Sequence, residues 1–480
     1  MPDVKTMTKT PLRSTVWGAW VDAFWRHIHR QAVWFPFLHE MYNRQMAPVG
    51  LLRTARNVAR RLRSSQVPDE APAPQLAVDP RCDVLFVALG DRANCLGVGK
   101  RLARIIDERD VPIRMAFFQP EEEIILDTEA SRRYRVVTMR RRMRFSLLWR
   151  FPWMALRAYV IGVSNPIVRS FVLRHPVVTL FVLLKSMIRC DSCEVVLRET
   201  GARMVVAANE GGVSSGGAAL FAVARRTGIR TVQYLHGMPN RMFVPFLADE
   251  FWMWSDLTIE MLRRQSADEA SIHRMLPIGS LEYDECYYPD AADRVTPVAS
   301  SARHVLIISQ LGCDPAWGTE VFGMLARRLA MALRDVEDLS VRVRLHPNEL
   351  EQEIVRWQTI LDGIPFEVSP RTRSLSDDVS WATHVYGNGS TAILAALKSG
   401  KPAYLVWDGA LDEIHGSAPF PAEYVLTTED QIRDSLRREW AEGESEAVLR
   451  SVIYPEGALD RAVDRMALLV RQSKGNGVTR

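Results

Sequence analysis

At 480 residues the chain is longer than one ordinary hydrophobic core organises, so two domains are expected. Apolar residues make up 47% and charged residues 25%, the balance of a globular protein; the longest apolar run, Pro176 to Leu184, is far short of the roughly 20 residues that cross a bilayer, which excludes a membrane-spanning helix. The net charge of +4 hides an asymmetry: residues 130–190 hold thirteen Arg and Lys and no Asp or Glu, leaving 48 basic and 57 acidic side chains elsewhere, a net of −9. Such a segment calls for an anionic partner. The six cysteines are scattered, and Cys190 and Cys193 form a single CxxC with no second pair at metal-ligand spacing. Buried thiols in a reducing cytosol are expected, with no metal, no cofactor and no signal peptide.

Residues 1–63 are aromatic and basic. Trp17, Trp20, Val21, Phe24 and Ile28 follow helical spacing, and Arg53, Arg56, Arg60, Arg61 and Arg63 follow them. This N-terminal amphipathic helical region suits a membrane interface or a packed helix, and both readings stay open. Residues 64–80, with four prolines, read as a linker. Asp83 to Leu89 then opens residues 81–288 as a buried strand. The glycine-bearing stretch from Gly90 to Lys100 is no P-loop: Asn94 stands where its first glycine belongs, and Arg101 where Ser or Thr would bind magnesium. Ile113 to Phe118 is the next strand.

In the acid-free insert, residues 130–190, Arg132, Arg133, Arg135, Arg140, Arg141, Arg142 and Arg144 precede a run rich in Trp, Phe and Leu. That combination fits anionic lipid better than nucleic acid, because Leu147 to Leu184 is more apolar than base stacking requires. A buried helical insert is the structural alternative. Regular alternation resumes with strands at Met204 to Glu210, Thr231 to Leu235, Asp249 to Trp254 and Leu276 to Ser280. Helices lie between them, one ending near Gly228 and one starting from Leu257. Residues 289–301 read as the interdomain linker. Residues 302–480 then repeat the pattern: a strand at His304 to Gln310, a helix through Phe322 and Leu333, and a strand at Val341 to Pro347. A unit from Thr383 to Trp407 follows, with helices around 428–440 and 458–472 at the end. Strands alternating with helices across short turns predict parallel sheets covered on both faces.

In such sheets ligands bind at the carboxyl ends of the strands. Glu210, His236, Gln310, His346 and the turn Asn388-Gly389-Ser390-Thr391 all fall there, which implies a cleft between two halves. Arg344 and His346, with the helix start at Ser390 and Thr391, offer anion-binding groups. Glu210 and His236 offer proton-transfer groups. Asp408, Asp412 and Glu413 read as a solvated loop, and His384 and His415 as structural.

The segment Gln233-Tyr-Leu-His236-Gly237, then Ala248-Asp249 and Trp254, resembles the pattern of bacterial surface-glycan glycosyltransferases, including capsule and teichoic-acid polymer transferases. Arg344-Leu-His346-Pro347 is similar to their His-Pro motif. Gly389-Ser390-Thr391 with Ala395-Ala396-Leu397 and Gly400-Lys401-Pro402 resembles their donor-site helix, and Pro277-Ile-Gly279-Ser280 their domain-closing motif. The resemblance covers residues 200–410. It implies an α/β GT-B-like fold of two Rossmann-like domains, an acceptor-side one at 81–288 and a nucleotide-sugar one at 302–480. It also implies a metal-independent transfer from a nucleotide-sugar co-substrate to a membrane-associated glycan or lipid-linked acceptor. By the resemblance Ser390 and Thr391 would bind donor phosphate, His346 would stabilise the phosphate or leaving nucleotide, and His236 would be general base or an electrostatic stabiliser. Gln310, Arg344, Asn388 and Gly389 complete the expected donor site by position, and Glu210 is the other candidate base. Where the family carries an acidic residue in the donor helix, this chain has none near Ala395. A nucleotide-sugar 2-epimerase of the same fold, or a non-catalytic membrane scaffold for polysaccharide assembly, are the alternatives. The expected location is the cytoplasmic face of the membrane, held there by residues 130–190 and, on the membrane reading of that region, also by 13–63, with no nucleic acid.

Overall fold

The computed structural model describes residues 81–87, 93–120, 135–139, 145–164, 169–208, 217–239, 246–264, 269–284, 303–311, 319–334, 336–347, 349–415, 418–454 and 456–475. The N-terminal region 1–63, both linkers, the arginines at 132, 133, 140–142 and 144, and Glu210 lie outside the described residues. Two compact units are present. One is Met1–Gln233 with Leu247–Asp249 and Arg465–Arg480; the other is Tyr234–Phe246 with Glu250–Asp464.

Seven strands build the first sheet: β1 (Val84–Val87), β2 (Met115–Pro120), β3 (Val136–Met139), β4 (Met204–Ala207), β5 (Arg230–Tyr234), β6 (Glu250–Met253) and β7 (Met275–Pro277), in the order β3-β2-β1-β4-β5-β6-β7. The registered pairs run parallel, Val84 facing Met115 on one side and Met204 on the other. Its helices are α1 (Ala93–Glu108), α2 (Phe145–Ser164), α3 (Arg169–Arg174), α4 (Pro176–Thr200), α5 (Gly217–Arg226), α6 (Asp256–Arg264) and α7 (Glu269–Ile272). β1 and β4 are apolar throughout and buried throughout, as strands covered on both faces must be. The glycine-bearing stretch before Lys100 serves packing: a Cβ on Gly99 would meet the Phe117 and Phe86 rings at 2.6 and 2.8 Å. The two rings touch edge to face at 5.8 Å.

The second sheet holds β8 (Arg303–Ile308), β9 (Leu339–Arg344), β10 (Phe366–Val368), β11 (His384–Gly387), β12 (Ala403–Val406) and β13 (Val425–Leu426), in the order β10-β9-β8-β11-β12-β13. All its registered pairs are parallel. Around it lie α8 (Thr319–Leu333), α9 (Gln352–Ile360), α10 (Leu375–Trp381), α11 (Ala392–Lys398), α12 (Gly409–His415), α13 (Glu429–Ser435) and α14 (Glu444–Ile453); α15 (Ala458–Gly475) closes the described chain. Counted from its own first strand, each sheet runs 3-2-1-4-5-6, the first adding a seventh strand. That is the Rossmann order, with its reversal between strands one and four. The fold class expected from the sequence, α/β with two Rossmann-like parallel sheets, is the one observed.

Several elements differ from the expectation. The strand from Met204 stops at Ala207, and the strand begun near His384 continues through Gly387. Among the described residues of the basic insert, Val136–Met139 forms an edge strand, and α2, α3 and the first part of α4 follow it. The stretch from Gly409 is a helix rather than a loop. Helices α9, α10 and α14 are additions to the expected elements, although α14 buries Val448, Leu449, Val452 and Ile453 on one stripe. α10 is held locally by a capping box, in which Ser374 Oγ accepts from Asp377 N at 3.0 Å.

Gly279, after β7, is fixed by its surroundings. Its φ is +104°, and a Cβ would stand 2.4 Å from the Tyr454 carbonyl oxygen. Beside it, Arg461 Nε donates to the Ile278 carbonyl at 2.8 Å, and Asp284 accepts from Leu459 N at 2.7 Å, capping α15.

Candidate functional site

The second sheet reverses its winding between β8 and β11, where the chain leaves the two strands in opposite directions and opens a crevice at their carboxyl ends. The register sets what lies there. Ile308 pairs with Arg344, and Ile307 with Tyr386. Counted onward, Ser309, Leu345 and Asn388 stand at one level, and Gln310, His346 and Gly389 at the next. Three strand ends thus bring together most of the residues expected to hold a donor.

Beneath them lies a buried bracket. Ser309 Oγ donates to Glu349 Oε1 at 2.8 Å and accepts from Trp357 Nε1 at 2.9 Å. The other oxygen of Glu349 accepts from His346 N at 2.7 Å, and Glu349 N donates back to His346 O at 2.9 Å. Arg371 fixes the same turn by donating to the carbonyls of Pro347 and Glu349. Glu349 is 1% exposed. Its carboxylate, held by a hydroxyl and a main-chain N–H, sets the path of the chain that carries His346. Glu349, Ser309 and Trp357 were not singled out in the sequence. The signal was a Glu three residues after a strand-end His, which a local spacing does not distinguish from a surface acid.

The His346 ring is half-buried. Burial pushes its pKa down from 6.5, while the Glu349 charge pulls the other way. The ring is therefore neutral at pH 7, a hydrogen-bonding group rather than a fixed cation. Arg344 is placed differently from its neighbours. Its Nη1 donates to Asp378 Oδ2 at 2.6 Å and to the Arg373 carbonyl at 3.1 Å.

The turn after β11 behaves as its glycines dictate. Gly389 takes φ +111°, a conformation that favours glycine, whereas a Cβ on Gly387 would meet Ile308 at an ordinary 3.6 Å. Ser390 is buried, and its Oγ accepts from Ala392 N at 3.3 Å. Thr391 makes no side-chain cap, and its carbonyl accepts from Tyr283 OH at 3.3 Å.

Gln310 and Asn388 line one cavity of about 20 Å³, together with Ser309, Trp357, Tyr386 and Phe322. That is room for about one water. The amide oxygens of both residues are sealed from solvent and make no hydrogen bond. A buried acceptor without a donor costs about 1–3 kcal/mol. Both line a cavity that admits about one water, the donor such acceptors take.

The remaining candidates sit elsewhere. His236 is half-buried, two residues past the end of β5 in the first sheet. Asp249 and Trp254 from the same motif serve the fold: Asp249 Oδ2 accepts from Thr231 N at 2.9 Å, and Trp254 Nε1 donates to the Leu235 carbonyl at 3.0 Å. Asp408 accepts from Arg328 at 2.8 Å, and Asp412 from Trp407 Nε1 at 2.7 Å. His384 lies on β11 with its Nδ1 3.0 Å from Thr383 Oγ1. The described Cys82, Cys190 and Cys193 are buried thiols, and burial pushes Cys193 up to about 12. Among the described residues no three His, Cys, Asp or Glu side chains are grouped to hold a metal ion.

No protein-family model matches the sequence, and no curated protein sequence matches it. Solved structures similar to it include an O-GlcNAc transferase mutant of Thermobaculum terrenum, at 16% identity and TM-score 0.48, covering 85% of this chain and 72% of that one. The lipopolysaccharide outer core galactosyltransferase WaaB is similar at 10% identity and TM-score 0.47, covering 81% and 99%. A UDP-GlcNAc 2-epimerase from Neisseria meningitidis, bound to UDP-GlcNAc, is similar at 13% identity and TM-score 0.42, covering 80% and 99%. At these scores the likenesses carry no weight on the chemistry, which rests on the site itself.

Proposed function

We propose that the chain is a GT-B-type glycosyltransferase that moves a sugar from a nucleotide-activated donor to a membrane-associated glycan or lipid-linked acceptor in surface-polysaccharide synthesis. The observation that carries this reading is the convergence of the Gln310, His346 and Gly389 strand ends at the winding reversal of a Rossmann-order sheet. The phosphates of a nucleotide suit the glycine turn through Ser390 and Thr391. The neutral His346 ring donates a hydrogen bond to a phosphate oxygen. Arg344, tied to Asp378, shapes the strand end and adds positive potential.

In the transfer, an acceptor hydroxyl oxygen attacks the anomeric carbon, and the bond from that carbon to the donor phosphate oxygen breaks. His236 or Glu210 takes the hydroxyl proton, and the nucleotide leaves carrying the negative charge.

The test is calorimetric titration with UDP, GDP, CMP, CDP and their sugar conjugates, followed by product analysis with lipid-linked acceptors. One nucleotide class should bind, and Gln310→Ala with Asn388→Ala should weaken it about tenfold or more, the equivalent of 1–3 kcal/mol. Sugar transferred only when acceptor is present supports the reading. Sugar isomerised without acceptor assigns the site to a 2-epimerase instead, and no binding of any nucleotide points to a scaffold.

A further inference from the structure

Helix α2 is apolar on two sides. Its inner side carries Met154 and Ala158, both buried, and Gly162, where a Cβ would stand 2.6 Å from Val172. Its outer side carries Trp149, 79% exposed, then Trp153, Leu156 and Val160, each more than half exposed. The steps of four, three and four place these four on one helical stripe. The adjoining helices, packed on α2, add exposed Leu173 from α3 and exposed Val177 and Phe181 from α4.

Single exposed apolar residues are ordinary, but these are concentrated. Seven of the twelve large hydrophobic residues exposed among the described ones fall between 149 and 181. The same stretch carries exposed Arg150, Arg157, Arg169 and Arg174. The Arg157 guanidinium lies 4.9 Å from the centre of the Trp153 ring, and Arg150 makes a loose contact of 3.9 Å with Asp191. No acidic residue occurs anywhere from 130 to 190.

We propose that the outer stripe of α2, with the adjoining ends of α3 and α4, docks on an anionic lipid bilayer. Trp149, Trp153, Leu156 and Val160 enter the boundary between headgroups and acyl chains, and Arg157, Arg169 and Arg174 meet lipid phosphates. Charge selects this occupant. The N-terminal segment, with eleven Lys and Arg against three Asp and Glu over residues 1–63, is itself basic and would be repelled. A second copy meeting face to face would oppose the same arginines. Nucleic acid would satisfy the charge but leave Leu156, Val160, Leu173 and Val177 in water. Among the described residues no helix is long and apolar enough to cross a membrane, so the stripe lies along the surface. Tryptophan on such a stripe is at home at headgroup depth. The docking does not depend on the proposed reaction, and its test uses no nucleotide.

The full chain is floated with vesicles of phosphatidylcholine, with and without about 30% phosphatidylglycerol, over a salt series. The expected result is binding to the anionic vesicles that weakens with salt, and little binding to phosphatidylcholine alone. The double variant Trp153→Glu/Val160→Glu should lose at least tenfold in binding with an unchanged circular dichroism spectrum. Arg157→Glu/Arg174→Glu should lose binding and flatten the salt dependence, while Met331→Glu, on exposed apolar surface elsewhere, should change nothing. If the Glu pair unfolds the chain, brominated acyl chains decide with the apolar variant Trp149→Phe/Trp153→Phe. Tryptophan quenching on vesicles should fall in it relative to the unaltered chain. Absence of binding to anionic vesicles, undiminished binding of the folded Glu variant, or equal quenching would overturn the proposal. So would a dimer that Trp153→Glu/Val160→Glu converts to monomer, which would make a second copy the occupant.

Discussion

Arg344 Nη1 lies 2.6 Å from Asp378 Oδ2, and the Asp378 side chain has no exposure to solvent. The same carboxyl group accepts from Arg342 at 3.2 Å and from Ser369 Oγ at 2.6 Å. Arg342 in turn stacks 3.9 Å over the Trp381 ring. One buried acid therefore organises two arginines of β9, and the cation expected to meet a donor phosphate is anchored to the sheet.

Removing that acid takes the buried carboxylate from two guanidinium groups, of which Arg342 keeps Glu367. Asp378→Ala should destabilise the chain by about 3–5 kcal/mol, the range for breaking one side of a buried ion pair. Arg344→Ala should do less, because Asp378 keeps Arg342 and Ser369. Denaturant unfolding of the three proteins measures both; equal, small losses would show that the network contributes little.

The neutral state of His346 makes donor binding insensitive to its titration near neutrality. Burial lowers its pKa from 6.5, so from pH 8 down to 7 the ring is mainly uncharged. Nucleotide affinity should be flat over that window apart from phosphate ionisation, and His346→Ala should slow transfer by about 100-fold, the order expected when one hydrogen-bond donor to the developing charge is removed. Affinity climbing as pH falls towards 6.5, and lost in His346→Ala, would mark a cationic ring.

His384 gives the fold its own pH dependence. Burial, then the nearby Arg303 charge, lowers it from 6.5 to about 4. The folded chain therefore disfavours the proton that the unfolded chain accepts. The stability this group contributes is complete above pH 6.5 and is lost as pH falls towards 4. The loss amounts to about 3 kcal/mol, for a fall from 6.5 to about 4 at roughly 1.4 kcal/mol per pKa unit. His384→Gln should flatten the stability profile between those limits, as urea unfolding at a series of pH values would record.

Gly279 admits no side chain. With φ at +104° and a would-be Cβ 2.4 Å from the Tyr454 carbonyl oxygen, Gly279→Ala combines backbone strain with a main-chain clash. A loss of about 3 kcal/mol or more is expected. Thermal unfolding within a degree or two of the unaltered chain would show that the 454–461 segment yields.

Much of the fold was legible because strands such as β1, β4 and β12 are short and wholly apolar. Val84–Val87 and Ala403–Val406 can be read directly, since a strand covered on both faces has to be apolar at every position. β3 escaped notice because Val136–Met139 is framed by arginines, and α10 because it rests on a capping box rather than an apolar stripe. The strand-end positions of Gln310, His346 and Asn388 followed from the same alternation. The roles of Ser309 and Glu349 did not, because a hydrogen bond across 40 residues leaves no local pattern.

By itself the sequence determined the two parallel α/β sheets, the strand ends where polar groups collect, the glycine at 389 and the acid-free basic segment. Each of these is written in the order of neighbouring residues, as period, turn chemistry or charge. Only the tertiary structure decided that Arg344 is tied to Asp378, that burial keeps His346 neutral, that the Gln310 and Asn388 oxygens share one cavity, and that α2 turns Trp149 and Trp153 outward. These depend on which distant side chains meet and how much water reaches them, and neither is set by local spacing.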